Sequence, residues 1–308
     1  MHKLALPKPS ADAKQHSEQL LELIKIEMAK ADGWIDFARY MELALYAPGL
    51  GYYSSGQQKF GEQGDFITAP EISPMFSQVL ANPVAEMLTA MQGGDVLEFG
   101  AGSGAMAAEC LSALQQKAVL PERYLIVELS AELRARQKQT IAARVPDLMA
   151  RVHWLDKLPV EPIKAVVLAN EVLDAMPVQR FVMTQQGLQC LGVSLQDNQL
   201  LLKSVEADAE LKVRIATIEK NIDRAFSQGY TSEIHVNAQP WLQSISDVLD
   251  QGAVYLIDYG YPQSEYYLPE RIMGTLMCYC QHRAHDNALW YPGLQDITAF
   301  VDFTLVTE

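Results

Sequence analysis

Acidic and glycine residues follow short apolar runs at three points of this 308-residue chain, and their spacing is that of a ligand site. Val96–Gly104 reads "VLEFGAGSG", with Ala105 next. Gly100, Gly102 and Ala105 satisfy the dinucleotide fingerprint G-x-G-x-x-[GA], in which a strand turns tightly into a helix whose N–H groups face a ligand. Glu98, two residues before the first glycine, argues against a pyrophosphate, which a carboxylate repels. It suits a cofactor carrying an ammonium. S-adenosylmethionine has an ammonium and a sulfonium and no phosphate, so it leads over a nicotinamide dinucleotide.

Glu128 closes the run "YLIVELS". An acid at such a strand end can accept hydrogen bonds from both ribose hydroxyls of an adenosine, in either cofactor. Asn170, Glu171 and Asp174 stand in "LANEVLDAMPV", after a third apolar run. On a helical turn Glu171 and Asp174 would share a face. Paired carboxylates can clamp a guanidinium bidentately and orient it for attack on a methyl group. Equally, Asn170 could cap a helix with both acids near its positive end.

Cys278, Cys280, His282 and His285 spell C-x-C-x-H-x-x-H. A strand would place the first three on one face, but structural zinc sites space their cysteines by about two to four residues. The reading is buried cysteines and no metal, with His282, His285 and Asp286 as weaker candidates for a substrate crevice. Tyr46, Tyr52, Tyr53 and Phe60 could wall a pocket for a cation; core beneath a long loop is the favoured reading. Asp258, Tyr259 and Gly260 end another apolar run, either lining the crevice or simply turning from strand to loop.

The elements that must position these residues change character along the chain. Residues 1–16 are polar and expected to fray, with Ser17 capping a helix that carries Leu20, Leu21, Ile24 and Met28 and stops at Gly33. A second helix is expected over roughly 35–45, then a structured Gly/Pro-rich loop region. From Asp95, apolar strands alternate with helical stretches, which implies a parallel sheet covered on both faces. Turn signals at Gln186-Gly187 and Asp197-Asn198 predict an inserted antiparallel meander. Helices near 207–220 and 238–250 and the strand "GAVYLIDYG" follow, and "DITAFVDFTLVTE" offers no closing helix or cap. The division expected is an N-terminal helical and lid region, 1–90, and a cofactor-binding domain, 91–308, with an insertion at about 180–235.

Lys+Arg of 24 against Asp+Glu of 38 give a net charge of −14. That balance disfavours nucleic acid and suits a basic partner. No apolar run reaches transmembrane length, so no membrane partner is expected. Four cysteines and an N-terminus without signal or transit character lead to the expectation of a cytoplasmic protein.

Seven segments occur in order: "GYYSSGQQKFGEQGDFITAPEISPMF", "LEFGAGSG", "VELSAELRARQ", "ANEVLDAMPV", "LIDYG", "GTLMCYCQHRAHD" and "PGLQDITAFVDF". Together they resemble the MidA-type class I S-adenosylmethionine methyltransferases, the mitochondrial complex I assembly methyltransferase family. The resemblance runs from about Gly33 to the C-terminus. It implies an α/β, Rossmann-like class I methyltransferase sheet of seven strands, with an N-terminal helical and loop extension. It also implies protein arginine methylation, in the mitochondrial branch on a complex I subunit. Position by position it implies Glu98, Gly100, Gly102 and Gly104 as the cofactor loop and Glu128 as the ribose contact. Gly64, Asp65, Phe66, Thr68 and Pro70 match a segment expected to fold over the cofactor, and Asn170, Glu171 and Asp174 match one facing the transferred methyl.

Family chains continue past the "VDF" segment, whereas this one ends at Glu308, so a truncated C-terminus is expected. The leading function is an S-adenosylmethionine-dependent methyltransferase with a protein substrate, basic or arginine-bearing. The alternatives are a NAD-dependent oxidoreductase and a non-catalytic assembly factor that retains the fold. Substrate protein and oligomeric state are not legible.

Overall fold

The computed structural model describes residues 6–54 and 68–307, so Gly64, Asp65, Phe66 and Phe60 lie outside the described residues. Ser10 caps α1 (Ala11–Lys30), accepting from the Ala13 N–H at 3.2 Å. The helix thus starts before Ser17, which is buried on its inner face with Leu20, Ile24 and Met28. The alanines, lysine and glutamine of the early turns are good helix formers and need no apolar stripe to extend the helix. Gly33 ends it in a left-handed conformation (φ 80°), its N–H donating to the Met28 carbonyl at 2.8 Å. A short strand, β1 (Trp34–Asp36), precedes α2 (Phe37–Tyr46), which Asp36 caps at the Arg39 N–H, 2.7 Å away.

Next come α3 (Ala69–Ile72), α4 (Pro74–Ala90), β2 (Asp95–Phe99), α5 (Ala105–Gln116), β3 (Tyr124–Val127), α6 (Ala131–Arg144), β4 (Val152–Leu155) and β5 (Ile163–Asn170). The predicted meander follows as β6 (Gln179–Thr184), β7 (Gly187–Gln196) and β8 (Gln199–Glu206). Then come α7 (Ala209–Asn221), β9 (Thr231–Ile234), α8 (Ala238–Val248) and β10 (Leu249–Ile257). The remainder holds β11 (Gly260–Tyr261), α9 (Gln263–Tyr266), β12 (Met277–Cys280), β13 (Arg283–His285), β14 (Asp296–Thr298), β15 (Val301–Asp302) and α10 (Phe303–Thr307). That last helix departs from expectation: Asp302 caps it, accepting from the Thr304 and Leu305 N–H groups at 3.1 and 3.3 Å. No described helix is long and apolar enough to cross a membrane.

These elements form two compact units. The first takes the described residues of Gln58–Val172 together with Trp241–Asp258. Its five-stranded sheet runs β10-β5-β2-β3-β4, every pairing parallel. One face buries Val96, Ile126, Val166 and Leu168 with Leu80, Val84, Cys110 and Leu111 of α4 and α5. The opposite face buries Leu97, Leu125, Val167 and Ile245, and Trp241 meets Phe99 edge-on at 5.0 Å. Residues of both parities are therefore apolar, which is why these strands read as unbroken hydrophobic runs. The resemblance implies seven strands; the described residues place five in this sheet. From β2, the chain proceeds to β3 and β4 on one side and to β5 and β10 on the other. Such a reversal opens a ligand crevice at the carboxyl ends of the strands.

The second unit takes the described residues of Met1–Gln57, Leu173–Pro240 and Tyr259–Glu308. Its antiparallel sheet runs β1-β7-β6-β9, with β8 also on β7. Thr184 pairs with Gly187 across the first hairpin. Asp197 and Asn198, both left-handed (φ 49° and 63°), make the second turn, the geometry that matches strand twist. Trp34 lies opposite Ser194, so the second unit's sheet joins residues far apart in sequence. The grouping cuts across the expected boundary at residues 90 and 91: α3 and α4 pack in the parallel unit, while α1, β1 and α2 belong with the meander.

Candidate functional site

The site is built where β2 leaves the parallel sheet. Gly100, Gly102 and Gly104 are all left-handed, with φ of 63°, 52° and 85°, a run open to glycine at little cost. A Cβ at Gly104 would approach Gln137 Cα to 3.0 Å, and one at Gly100 would approach Val172 Cγ2 to 3.1 Å. Gly102 has no described neighbour within 4 Å of a Cβ position, so its face of the loop is open to a ligand. Ser103 Oγ donates to Glu71 Oε1, which ties α3 to the loop.

Glu98 has no exposed surface. Its Oε2 accepts the Tyr124 hydroxyl at 2.6 Å, and its Oε1 has no hydrogen-bond partner. Burial pushes this carboxyl up to about 7, against the pull of the Tyr124 hydroxyl. A fully enclosed carboxylate with an unsatisfied oxygen is costly unless a donor or cation reaches it.

Glu128 follows β3 directly. Its Oε1 accepts the Ser130 N–H at 2.9 Å and its Oε2 the Gln137 side-chain amide at 3.0 Å. Each carboxylate oxygen has two lone pairs, so both keep room for a hydroxyl donor. Burial raises its pKa against these donors. Gln137 also donates to the Gly102 carbonyl at 3.1 Å, and its Oε1 accepts the Trp154 indole N–H at 2.8 Å. One fully buried amide thus fixes the glycine loop, the acid and β4 together. Sequence reading missed Gln137. The available signal was its place on the inward face of α6, where only Gln137 and Ile141 are buried.

At the end of β5, Asn170 donates to Glu171 Oε1 at 3.3 Å, and the Glu171 N–H donates to the Ile257 carbonyl of β10 at 2.8 Å. The Glu171 carboxylate also accepts from the Ala69 N–H, which lies between Thr68 and Pro70 at the start of α3. Burial raises its pKa, and the Asp258 charge adds to the rise. Glu171 is left-handed (φ 51°), and residues 171–178 form turns and irregular backbone, with no helix. The helical turn expected to align Glu171 with Asp174 is absent, because a left-handed residue cannot begin an α-helix. For the same reason Asn170 caps no helix. Asp174 belongs to the antiparallel unit, where its carbonyl accepts the Ala299 N–H at 2.9 Å.

The other expected constellation resolves as strand packing. Cys278 and Cys280 are buried on β12, Cys278 opposite His285 of β13. His282 sits in the intervening turn with φ 58°. Among the described residues no three His, Cys, Asp or Glu side chains come together in a metal-binding group.

Comparisons with known proteins identify the family. Residues 79–308 match the S-adenosyl-L-methionine-dependent methyltransferase family Methyltransf_28. The chain belongs to this family. Over 98% of its length it superposes on 78% of a Burkholderia thailandensis protein crystallised with S-adenosyl-homocysteine, at 47% identity and a TM-score of 0.92. A native structure from the same organism matches at 46% identity and TM-score 0.90, over 99% of this chain and 78% of that one. The protein arginine methyltransferase NDUFAF7, mitochondrial, is 28% identical in Danio rerio over 90% of this chain, and 29% in Homo sapiens over 89%. The chain spans about two thirds of those relatives, 69% and 65% of their lengths.

The family's cofactor is S-adenosylmethionine, and the dinucleotide reading gives way to it. The cytoplasmic expectation is overturned as well, since relatives from fish, mammals, nematode and fly are all named mitochondrial. A cysteine count of four carries no address within the cell.

Proposed function

We propose that this chain transfers a methyl group from S-adenosylmethionine to an arginine side chain of a protein. The observation that carries the cofactor half is the Gly102–Gln137–Glu128 connection. It holds an acid with spare acceptor capacity beside a loop whose glycine face is open. Glu128 would take the ribose hydroxyls, and Gly100, Gly102 and Gly104 would admit the adenosyl group. The unpartnered Glu98 Oε1 fits the ammonium end, reached directly or through an ordered water. Thr68 and Pro70 flank the Ala69 N–H that holds Glu171, which supports their place over the same crevice.

The bound cofactor supplies a sulfonium-activated methyl for in-line displacement, so positioning carries most of the catalysis. Asn170 and the Ala69 N–H fix the Glu171 carboxylate, whose role is to orient the nucleophile. The arginine assignment is supported by the names of the NDUFAF7 relatives and by a net charge of −14, which suits a cationic substrate. The same relatives support a protein substrate.

The test is incubation with methyl-labelled S-adenosylmethionine and an arginine-bearing peptide library, followed by acid hydrolysis and chromatography. Labelled methylarginine is expected, with loss of cofactor affinity of about 30-fold in Glu128→Ala. Label in another amino acid, or tight NAD binding in calorimetry without S-adenosylmethionine binding, overturns the proposal.

A further inference from the structure

The glycine loop satisfies a dinucleotide fingerprint, and α5 presents its first N–H groups where a pyrophosphate would sit. The family's cofactor is nevertheless S-adenosylmethionine. The two cofactors share an adenosine and differ beyond its 5′ carbon, one with a sulfonium and an amino acid, the other with a pyrophosphate. Glycines admit both, so a charge beside the loop has to tell them apart.

Glu98 is poorly suited to that task. It has no exposed surface, and burial pushes its carboxyl up to about 7, so near neutral pH much of it is uncharged. Glu128 faces the ribose in the reading above, and both cofactors have that ribose.

A third acid is bonded to the loop itself. Glu71 belongs to α3, whose four residues are too few to persist without outside support. The Ala69 N–H donates to the Glu171 carboxylate after β5, and Glu71 Oε1 accepts the Ser103 hydroxyl. Ser103 is buried, and its Oγ in turn accepts the Ala105 N–H at 3.3 Å, in the first turn of α5. One hydroxyl therefore separates the half-buried Glu71 carboxylate from the end of α5 whose partial positive charge favours an anion. Ser103 also follows Gly102, the residue whose face of the loop is open. All these residues lie in the parallel unit.

We propose that Glu71 is the specificity-determining residue of the cofactor loop. Held at the start of α5 through Ser103, its carboxylate supplies the negative charge there and turns phosphate-bearing nucleotides away. This rests on the reading of the glycine loop as the cofactor site. Like charges about 10 Å apart, at an effective dielectric of about 20, repel enough to change affinity roughly tenfold. The same carboxylate attracts a cationic ligand and leaves one without net charge almost unaffected.

The test is calorimetry on the full chain near neutral pH and at low salt. Its four probes are S-adenosylmethionine, S-adenosyl-homocysteine, adenosine and ADP, whose net charge runs from positive through zero to negative. Glu71→Gln keeps the shape and an acceptor for Ser103 and loses the charge. It should bind ADP about tenfold more tightly than wild type and S-adenosylmethionine about threefold less tightly. Adenosine and S-adenosyl-homocysteine should stay within about twofold, which also reports that the variant is folded. Glu71→Asp keeps the charge and should hold ADP within about twofold of wild type. High salt should narrow the ADP difference between wild type and Glu71→Gln.

Unchanged ADP affinity in Glu71→Gln overturns the inference, as does an equal gain in Glu71→Asp. So does a parallel shift of all four ligands, which would make Glu71 a brace for the loop and no discriminator. A wild type that binds ADP more tightly than adenosine overturns it too. A wild type that binds neither S-adenosylmethionine nor S-adenosyl-homocysteine overturns the cofactor reading and the inference with it. The expected ligand series with no arginine methylated overturns the proposed substrate and leaves the inference standing.

Discussion

The two units bury charge in opposite ways. In the parallel unit both sheet faces are apolar, and among the described residues only Ser77 Oγ and Glu98 Oε1 are buried side-chain atoms without a partner. The antiparallel unit sets Arg180 of β6 opposite Glu233 of β9, both buried. Glu233 Oε1 accepts the Thr275 N–H at 2.6 Å, the Thr275 hydroxyl at 2.7 Å and the Tyr266 hydroxyl at 3.1 Å. Arg180 lies 5.1 Å above the Phe37 ring, and burial lowers its pKa. Both units bury apolar cores, but the antiparallel one also encloses a carboxylate on which three donors converge.

This contrast predicts opposite outcomes for deleting a buried carboxylate. Glu233→Ala strands the Arg180 charge and three donors, and should cost about 3–5 kcal/mol. Urea unfolding measures it, and a loss below about 1 kcal/mol would dissolve the distinction between the units. Glu98→Gln should instead stabilise at high pH. The folded carboxyl titrates near 7 and its ordinary value is 4.5. Between those values the unfolded chain releases a proton that the folded chain keeps, so wild-type stability falls as pH rises through that window. The full penalty, reached above pH 7, is roughly 3 kcal/mol. Glu98→Gln should escape it, being the more stable protein at pH 8 and differing little below pH 4.5. Parallel stability–pH curves for the two proteins would contradict the enclosed-acid account.

The smallest effect sharpens the parallel unit itself. Gln137→Leu keeps the volume but takes one donor from Glu128, one from the Gly102 carbonyl, and the acceptor from the Trp154 N–H. A loss of about 1–3 kcal/mol is expected, with cofactor affinity down by about tenfold in calorimetry. Unchanged affinity would mean that the glycine loop does not depend on its amide brace.

How much of this was legible follows from sequence range. The strands of the parallel unit read as local apolar runs, and the meander turns announce themselves through Asp197 and Asn198. Glu98 stood out by type and spacing, yet its enclosure depends on Tyr124, 26 residues on, meeting it across the parallel β2–β3 pair. The Glu171–Asp174 spacing was informative only if a helix followed β5, and one left-handed residue removed that premise. The start of the expected second helix became β1 because Ile35 pairs with Val193, a partner no local pattern indicates.

The order in which the chain visits its two units bears on how this gene can be rearranged. The parallel unit is written in two instalments, Gln58–Val172 and Trp241–Asp258, with Leu173–Pro240 between them. A single crossover with a homologous gene inside that interval would import β2 to β5 from one parent and β10 from the other. The edge strand and its neighbour would then have to agree in register at Val254–Val167 and Leu256–Ala169 without having been selected together. Recombination that respects this fold needs two paired breakpoints, and a library built on one should be dominated by chains that fail at the β5–β10 seam.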